Sequence, residues 1–295
     1  MAMKQSVPDY LVLGHITQDL LTATACVSGG TALYAAITAR RLGLDTAMLT
    51  AAAELPADLP ASLEITCIPS SRTSTFANRY TDRTRQQWVH AVAAPLDLGA
   101  MPAAWYAAPI VHLGPVLHEC TPDMLLAFPQ ALIGVTPQGW MRQWHTHLPS
   151  LVTRLCWKPD PALLRGIDVL VISSEDVGDD TTSVAYYTQY CRLVVLTHGA
   201  DGVTLFVDGV AHHVPAHPAL EIDPTGAGDV FTAALLIRLQ ETGDPFAAAR
   251  FAAVVAAMSV EGMGVSHIPT RETVLSRMGA LNDERAVDRN CRWYS

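Results

Sequence analysis

Short runs of apolar, mostly β-branched residues alternate with longer Ala- and Leu-rich stretches along most of the chain. The short runs predict buried strands, and the clearest are YLVLGHI, TAMLTA, PIVHLG, ALIGVT, DVLVIS and RLVVLT. Among the longer stretches, TALYAAITARRLG has helical spacing and ends at Gly43, and two more helices are predicted after Gly228 and Asp244. Strands that alternate with helices indicate an α/β fold with a mainly parallel sheet.

Residues 73–92 depart from this pattern. Their sequence, TSTFANRYTDRTRQQWVHAV, alternates in polarity, is rich in Thr and aromatic residues, and has a polar turn at its centre. These features predict a β-hairpin, in which Phe76, Asn78 and Tyr80 would share one face. We therefore expect an α/β core over residues 1–72 and 93–280, a small hairpin lid over residues 73–92, and a polar tail over residues 281–295.

Composition narrows the range of partners. Half of the 295 residues are apolar, which is enough for one large domain, and the formal net charge is −9. An acidic chain is a poor match for nucleic acid or an anionic membrane surface, so a small-molecule partner is favoured. The six cysteines are dispersed and include no CxxC pair or zinc-type spacing, and no secretion signal or membrane span is predicted. We expect a cytoplasmic protein with reduced thiols.

The stretch EIDPTGAGDVFTAALLIRL, residues 221–239, carries the most informative pattern. Its apolar positions predict a helix after Gly228, with Asp229 in the first turn. Unpaired N–H groups at Gly226, Ala227 and Gly228 would then form an anion pocket beside a carboxylate, an arrangement suited to phosphoryl transfer. An acidic residue that only starts a helix is the alternative. The third glycine of a dinucleotide fingerprint is absent, and no GK[ST] motif of a P-loop occurs.

Polar residues also follow several of the other predicted strands. Asp19 comes just after the first strand, and Gly29 and Gly30 open the next helix. A later strand is followed by VTPQGWMR, with Gln138 and Arg142, and two more are followed by ISSED and THGADG. In open α/β sheets, ligands bind at the carboxyl ends of the strands. These residues are therefore expected to converge on one site.

The order of GHITQD, GGTALYAAITARRLG, TFANRY, LTHGADG and DPTGAGDVF resembles the PfkB, or ribokinase-like, carbohydrate kinases over roughly residues 10–269. The resemblance implies a three-layer α/β/α sandwich with a mainly parallel central sheet and a small β lid. It also implies transfer of a phosphoryl group from ATP to a hydroxyl group. Asp229 would be the base, and the backbone of Gly226, Ala227 and Gly228 the anion hole.

The same resemblance assigns expected roles to other residues. Acceptor hydroxyls would be held by Asp19, Gly29 and Gly30, and the nucleotide would lie against Thr197, Gly199, Gly202, Gly262 and Gly264. Mg²⁺ would be served, through water, by Glu175 or Asp176, and K⁺ by Asp223 and Thr225. The expected oligomeric state is a monomer or a homodimer.

Three positions differ from the family's pattern. Tyr34 stands where the family commonly has an acceptor-contacting Asn, and the N-x-x-E motif is replaced by Ser173 to Asp176. Only nine residues separate Asp19 from Gly29, which predicts too little room for additional lid strands.

The acceptor is left open between several classes. TSTFANRY and TPQGWMR resemble inositol kinases, so a myo-inositol-like cyclitol is favoured, held by Asn78, Gln138 and Arg142, followed by ribose or another sugar. A nucleoside would use aromatic walls, for which the candidates are Tyr34, Phe76, Trp140 and Trp144. A phosphosugar would use the arginines around the lid, Arg72, Arg79, Arg83 and Arg85. A regulator that binds nucleotide or polyol without catalysis is the alternative from another class.

Overall fold

A computed structural model describes residues 6–22, 25–81, 84–178 and 180–280. The polar tail predicted over residues 281–295 and the candidate Arg83 lie outside the described residues. The side chains of Tyr80 and Arg85 also lie outside this description.

The strands in chain order are short, and those at the centre of the large sheet are buried. They are β1 (Tyr10–Leu13), β2 (Thr17–Leu20), β3 (Cys26–Gly29), β4 (Thr46–Ala52), β5 (Glu64–Pro69), β6 (Ser74–Thr81), β7 (Thr84–Ala91), β8 (Ile110–Leu113), β9 (Leu132–Val135), β10 (Arg142–Gln143), β11 (Ser150–Leu151), β12 (Thr153–Arg154), β13 (Val169–Ser173), β14 (Leu193–Thr197), β15 (Val203–Val207) and β16 (Val210–Val214).

The helices are α1 (Thr31–Arg41), α2 (Pro161–Arg165), α3 (Ser174–Val177), α4 (Thr181–Tyr190), α5 (Ala227–Thr242), α6 (Pro245–Ser259) and a final helical segment over 271–280. The predicted helices correspond to α1, α5 and α6. Asp244 caps α6 by accepting hydrogen bonds from the N–H groups of Phe246 and Ala247, and Gly43 follows α1 with φ +92°. In the described part of the chain, no helix has the length and apolar character to cross a bilayer.

Nine strands form the central sheet, in the order β16-β15-β14-β13-β9-β8-β1-β4-β5. Every neighbouring pair from β14 to β5 is parallel, and β15 and β16 add an antiparallel edge. Each of the six predicted strands is present in this sheet. The antiparallel edge follows because GADG and DG provide tight turns on either side of β15.

Side-chain alternation along β1 explains why the sheet is covered on both faces. Tyr10 and Val12 belong to the apolar core against α1, α5 and α6, whereas Leu11 and Leu13 belong to a second core on the opposite face. That second core is covered by α2, α4 and several 3₁₀ segments. The result is a three-layer α/β/α sandwich, which confirms the predicted fold class.

A second, five-stranded sheet has the order β11-β7-β6-β2-β3 and forms the lid. The predicted hairpin corresponds to β6 and β7, which pair antiparallel with a bulge where Thr75 faces Ala91 and Phe76 faces Val89. The expectation that the segment between Asp19 and Gly29 leaves no room for more lid strands is wrong. That segment folds into β2 and β3, which pair with each other, and β2 pairs parallel to β6.

Candidate active site

A cavity of 760 Å³ lies between the carboxyl ends of the central sheet and the lid. Volumes of about 300–1,000 Å³ are typical of small-molecule sites. Residues from both sheets and from the beginnings of α1 and α5 line it. The lining includes Asp19, Gly30, Thr31, Tyr34, Phe76, Gln87, Gln138, Arg142, Ser173, Glu175, Asp176, Thr197, Gly199, Gly202, Thr225, Gly226, Ala227, Gly228 and Asp229.

The first turn of α5 lies at the middle of this cavity. Gly226 precedes the helix with φ +77°, a left-handed conformation that glycine adopts without strain. The N–H of Ala227 donates to the carbonyl of Pro224 at 3.1 Å. Among the described residues, the N–H groups of Gly228 and Asp229 meet no acceptor, so these two amides are the free donors of the expected anion hole. Ala227 is therefore a less suitable donor than the sequence predicts.

Asp229 is a half-buried carboxylate that faces the cavity from this turn. Burial raises its pKa to about 6, and the charge of Asp176 adds to the rise. Two other groups lower the pKa of Asp229: the Thr31 hydroxyl, which donates a hydrogen bond to it, and the positively charged guanidinium of Arg142. A carboxylate with a pKa near 6 is a stronger base than an ordinary aspartate and is still ionised at neutral pH.

Thr31, the first residue of α1, is a contact of Asp229 that sequence reasoning missed. It is only 2% exposed, and its side chain packs so closely on Gly114 that a Cβ at Gly114 would collide with Thr31 Cγ2. Gly114 directly follows β8, and because it has no side chain it leaves space for Thr31 at the end of that strand. The only available signal was its place directly after Gly30, which does not reveal a contact made almost two hundred residues further along the chain.

The side of the cavity where an acceptor is expected, called the acceptor side below, is built on the lid. Asn78 Nδ2 donates to Asp19 Oδ1 at 3.3 Å, and Gln87 Nε2 donates to Asn78 Oδ1 at 3.2 Å. Asp19 and Gln87 line the cavity, whereas Asn78 lies behind them and links them. Sequence reasoning chose Asn78 as the direct ligand and missed Gln87. The register supplies the reason, because Gln87 is the cross-strand partner of Asn78 on the same face.

Gly29 and Gly30 provide the close approach that these contacts need. A Cβ at Gly29 would lie 2.9 Å from Asp19 Oδ2, and one at Gly30 would lie 2.5 Å from the carbonyl oxygen of His15. Gly30 also has φ +92°. Gly30 lines the cavity, and Gly29 lies beneath Asp19.

The opposite wall of the acceptor side carries Gln138 and Arg142, as the sequence predicts. Arg142 Nη1 donates to the carbonyl of Val116 at 3.4 Å, and its Cζ lies 5.7 Å from the ring centroid of Phe76. Phe76 is 4% exposed. The guanidinium is therefore held between the lid and the core, and its charge reaches Asp229.

The other side of the cavity is made mostly of backbone and small apolar side chains. Thr197, Gly199 and Gly202 contribute from the end of β14 and the turn after it. Ala253, Ala256, Ala257 and Val260, along α6 and just after it, form the facing wall. Gly262 and Gly264 do not line the cavity, and a Cβ at Gly262 would collide with the ring of His267.

Asp223 joins two loops beside the anion hole. Its Oδ1 accepts a hydrogen bond from Thr225 N at 3.0 Å, and its Oδ2 accepts one from Gly264 N at 3.0 Å. Although burial opposes ionisation, the hydrogen bonds from Thr225 and Gly264 hold the pKa of Asp223 below its usual value. An ionised carboxylate next to the anion hole is the donor type that a hard cation needs.

Glu175 and Asp176 both line the cavity, at the start of α3. Asp176 forms a reciprocal cap with Ser173: Ser173 N donates to Asp176 Oδ2 at 3.1 Å, and Asp176 N donates to Ser173 Oγ at 3.2 Å. Glu175 is exposed. Within the described residues no group of three or more His, Cys, Asp or Glu side chains could hold a metal by itself.

Residues 170–271, which include α5, match the model of the pfkB family carbohydrate kinases. A segment of 78 residues is 42% identical to an inositol 3-kinase of Zea mays, and the match spans 25% of this chain and 19% of the maize protein. Over this segment the chain is similar to the PfkB family.

Solved structures agree with this assignment at the level of the fold. A pyrophosphate-dependent kinase in the ribokinase family, complexed with a pyrophosphate analogue and myo-inositol, superposes with a TM-score of 0.74 at 22% identity, covering 90% of this chain and 99% of that one. Arabidopsis thaliana ribokinase, complexed with ribose and ATP, gives a TM-score of 0.67 at 18% identity, covering 92% of this chain and 98% of that one.

The predicted site residues thus fall into two groups. Most of them converge on the one cavity, on both sides of Asp229. Gly29, Asn78, Asp223, Gly262 and Gly264 lie outside its lining.

Proposed function

We propose that this protein transfers a phosphoryl group from ATP to a hydroxyl of a small cyclic polyol, with a myo-inositol-like cyclitol as the favoured acceptor. The observation that carries this proposal is the position of Asp229. Its carboxylate lies beside free backbone amides, between a chamber walled by polar side chains and a chamber walled by backbone and small apolar side chains.

In the proposed reaction, an acceptor hydroxyl held near Asp19 and Gln87 attacks the terminal phosphorus of ATP. The new O–P bond forms as the bond to the bridging oxygen breaks, so ADP leaves, and the hydroxyl proton passes to Asp229. The charge on the transferred group is received by the N–H groups of Gly228 and Asp229 and by the positive end of α5. Because phosphoryl transfer has a loose transition state, a base with a pKa near 6 is strong enough.

The shape of the second chamber supports ATP as the donor. An adenosine group needs apolar contact area in addition to a phosphate site, and the wall of Ala253, Ala256 and Ala257 offers it next to Thr197 and Gly199. Pyrophosphate would leave that wall without a ligand. It remains the competing donor, because one structural relative is described as pyrophosphate-dependent.

The residues present fit the expected cations. Mg²⁺ prefers oxygen ligands and keeps several waters, and Asp176 or Glu175 can hold those waters from the cavity wall. When bound, Mg²⁺ would neutralise charge on the donor phosphates. K⁺ would take oxygens of Asp223 and Thr225, next to the anion hole.

A neutral acceptor suits the described chamber better than a phosphorylated one. Arg142 is the single arginine among the described residues that line the cavity. Arg79 lies on the opposite face of β6 from Phe76, with its Cζ 5.5 Å from the ring of Trp88. Arg72 is exposed and away from the lining. Of the lid arginines whose side chains the structure describes, neither therefore offers its charge to a phosphosugar in this chamber.

A nucleoside acceptor also has less support, because two of its four aromatic candidates point elsewhere. Trp140 is buried in the core, where its Nε1 donates to the carbonyl of Cys120 at 2.7 Å. Trp144 packs against His118. Tyr34 and Phe76 remain in the cavity.

The test is an acceptor-by-donor matrix. Purified protein is incubated with Mg²⁺ and either ATP or pyrophosphate, with myo-inositol, ribose, fructose, fructose 6-phosphate or adenosine, and product is followed by ³¹P NMR. We expect ADP and a phosphate monoester only when ATP and a cyclitol are both present. Turnover with pyrophosphate alone would replace the donor, and turnover with another acceptor would replace the cyclitol. Ligand binding without turnover in any combination would favour the non-catalytic regulator.

A further inference from the structure

Tyr34 lies between the two chambers of the cavity. It belongs to the first turns of α1 and is 4% exposed, yet it lines the cavity. A Cβ at Gly226 would collide with the ring of Tyr34, so the ring rests directly on the backbone that begins α5. On its other side, Tyr34 Cε2 would lie 4.0 Å from a Cβ at Gly29. The ring therefore fills the space between the anion hole and the glycine pair of the acceptor side.

Three carboxylates act electrostatically on the phenol of Tyr34. After burial, which is the largest cause, Asp223, Asp229 and Asp19 all raise the pKa of the phenol, so it stays protonated. The hydroxyl makes no hydrogen bond to any described residue, although it lies within reach of the cavity. A buried phenol usually has a partner. A protonated donor that faces a cavity without a protein acceptor is suited to an oxygen of a ligand.

We propose that Tyr34 is a specificity-determining residue that links the two halves of the site, with its ring fixing the backbone of the anion hole and its hydroxyl donating a hydrogen bond to the acceptor. The inference rests on the proposed function, since it assigns a contact to the acceptor of that reaction. The acceptor class that fits is a polyhydroxylated saturated ring, whose C–H groups can lie against the aromatic ring while one of its oxygens accepts a hydrogen bond from the phenol.

Packing alone does not account for a tyrosine here. Phenylalanine would fill the same space against Gly226 and would place no polar atom among three carboxylates. The hydroxyl therefore needs a reason other than packing, and a ligand oxygen that accepts its hydrogen bond supplies one.

Tyr34→Phe tests the hydroxyl without removing the ring. We expect the Kd of myo-inositol, measured by isothermal titration calorimetry without a donor, and its KM to rise about 10-fold, the usual effect of one lost hydrogen bond. The kcat should stay within about threefold and the KM for ATP should not change. Tyr190→Phe in α4, a partly exposed tyrosine outside the cavity, is the matched control and should change neither value.

Tyr34→Leu tests the ring. Without support for Gly226, kcat should fall by at least about 10-fold, and ATP hydrolysis without acceptor should increase because water enters the space. Circular dichroism and thermal melting show whether this variant is folded, and the Phe variant tests the proposal even if it is not. Unchanged binding and KM in Tyr34→Phe would overturn the contact. Wild-type protein that binds and phosphorylates no acceptor would instead overturn the proposed function.

Discussion

The two chambers on either side of Asp229 are lined by different kinds of group, polar side chains in one and backbone with small apolar side chains in the other. The acceptor chamber uses side chains that are linked to one another, as in the series Asp19, Asn78 and Gln87, and most of them come from the lid. The donor chamber uses backbone turns and alanines that come from the central sheet and α6. A chamber of side chains can select between similar polyols, whereas a chamber of backbone can hold a phosphate chain that is the same in every turnover.

The largest expected effect is at the point where the chambers meet. Asp229→Asn should lower kcat by at least about 100-fold, because it removes the proton acceptor used in the transition state. ATP affinity, measured by calorimetry, should stay within a few-fold, since the anion hole is backbone. A variant that keeps more than about a tenth of wild-type turnover would show that Asp229 is not the base.

The next largest effect should be confined to the acceptor chamber. Asn78→Ala should break the connection between Asp19 and Gln87, raise the KM for the acceptor, and cost about 1–3 kcal/mol in kcat/KM, with little change in the KM for ATP. Arg79→Ala, on the opposite face of the same strand, is the control and should have a small effect with a neutral polyol. If the loss occurs only in Arg79→Ala, the acceptor is a phosphosugar.

A smaller effect concerns the pH dependence. Turnover requires ionised Asp229, so it should fall as the pH drops through about 6. Thr31→Val removes a group that lowers this pKa, so the acidic limb of the kcat profile should move to higher pH. The fall in kcat of Thr31→Val relative to the wild-type protein should thus be largest near pH 6 and small at pH 8. An acidic limb that does not move would show that Thr31 does not act on the base.

The smallest effect should be that of the monovalent cation on the donor chamber. With Asp223 ionised beside the anion hole, rates in potassium buffer should exceed rates in tetramethylammonium buffer at equal ionic strength. The KM for ATP should change more than the KM for the acceptor. Equal rates in both buffers would remove the cation site.

The turn between the two chambers was the easiest part of the site to predict from sequence. Gly226, Gly228 and Asp229 stand at the start of a strongly periodic apolar stretch, so their place in the fold follows from local patterns. Thr31 and Gln87 gave no such signal, because their roles depend on contacts with residues that are distant in the chain. The short strands TQDL and CVSG were missed because four residues are too few to show alternation. Pairing with β6 stabilises TQDL, and pairing with TQDL stabilises CVSG.

The bulge between β6 and β7 gives the lid a sensitivity to insertions and deletions. His90 is the extra residue of the bulge and has no partner in β6. The pairing of β7 with β6 before the bulge decides which side chains of β7 face the cavity. Deletion of His90 would make Thr75–Ala91 and Phe76–Val89 consecutive pairs, which removes the bulge and leaves Gln87 opposite Asn78. Deletion of Trp88 with the bulge kept would instead bring Gln87 opposite Ala77, and because strand side chains alternate, the amide would turn out of the acceptor chamber. A codon lost within the paired part of β7, but not at the bulge, would thus remove a polar group from the acceptor chamber without any substitution in the catalytic turn.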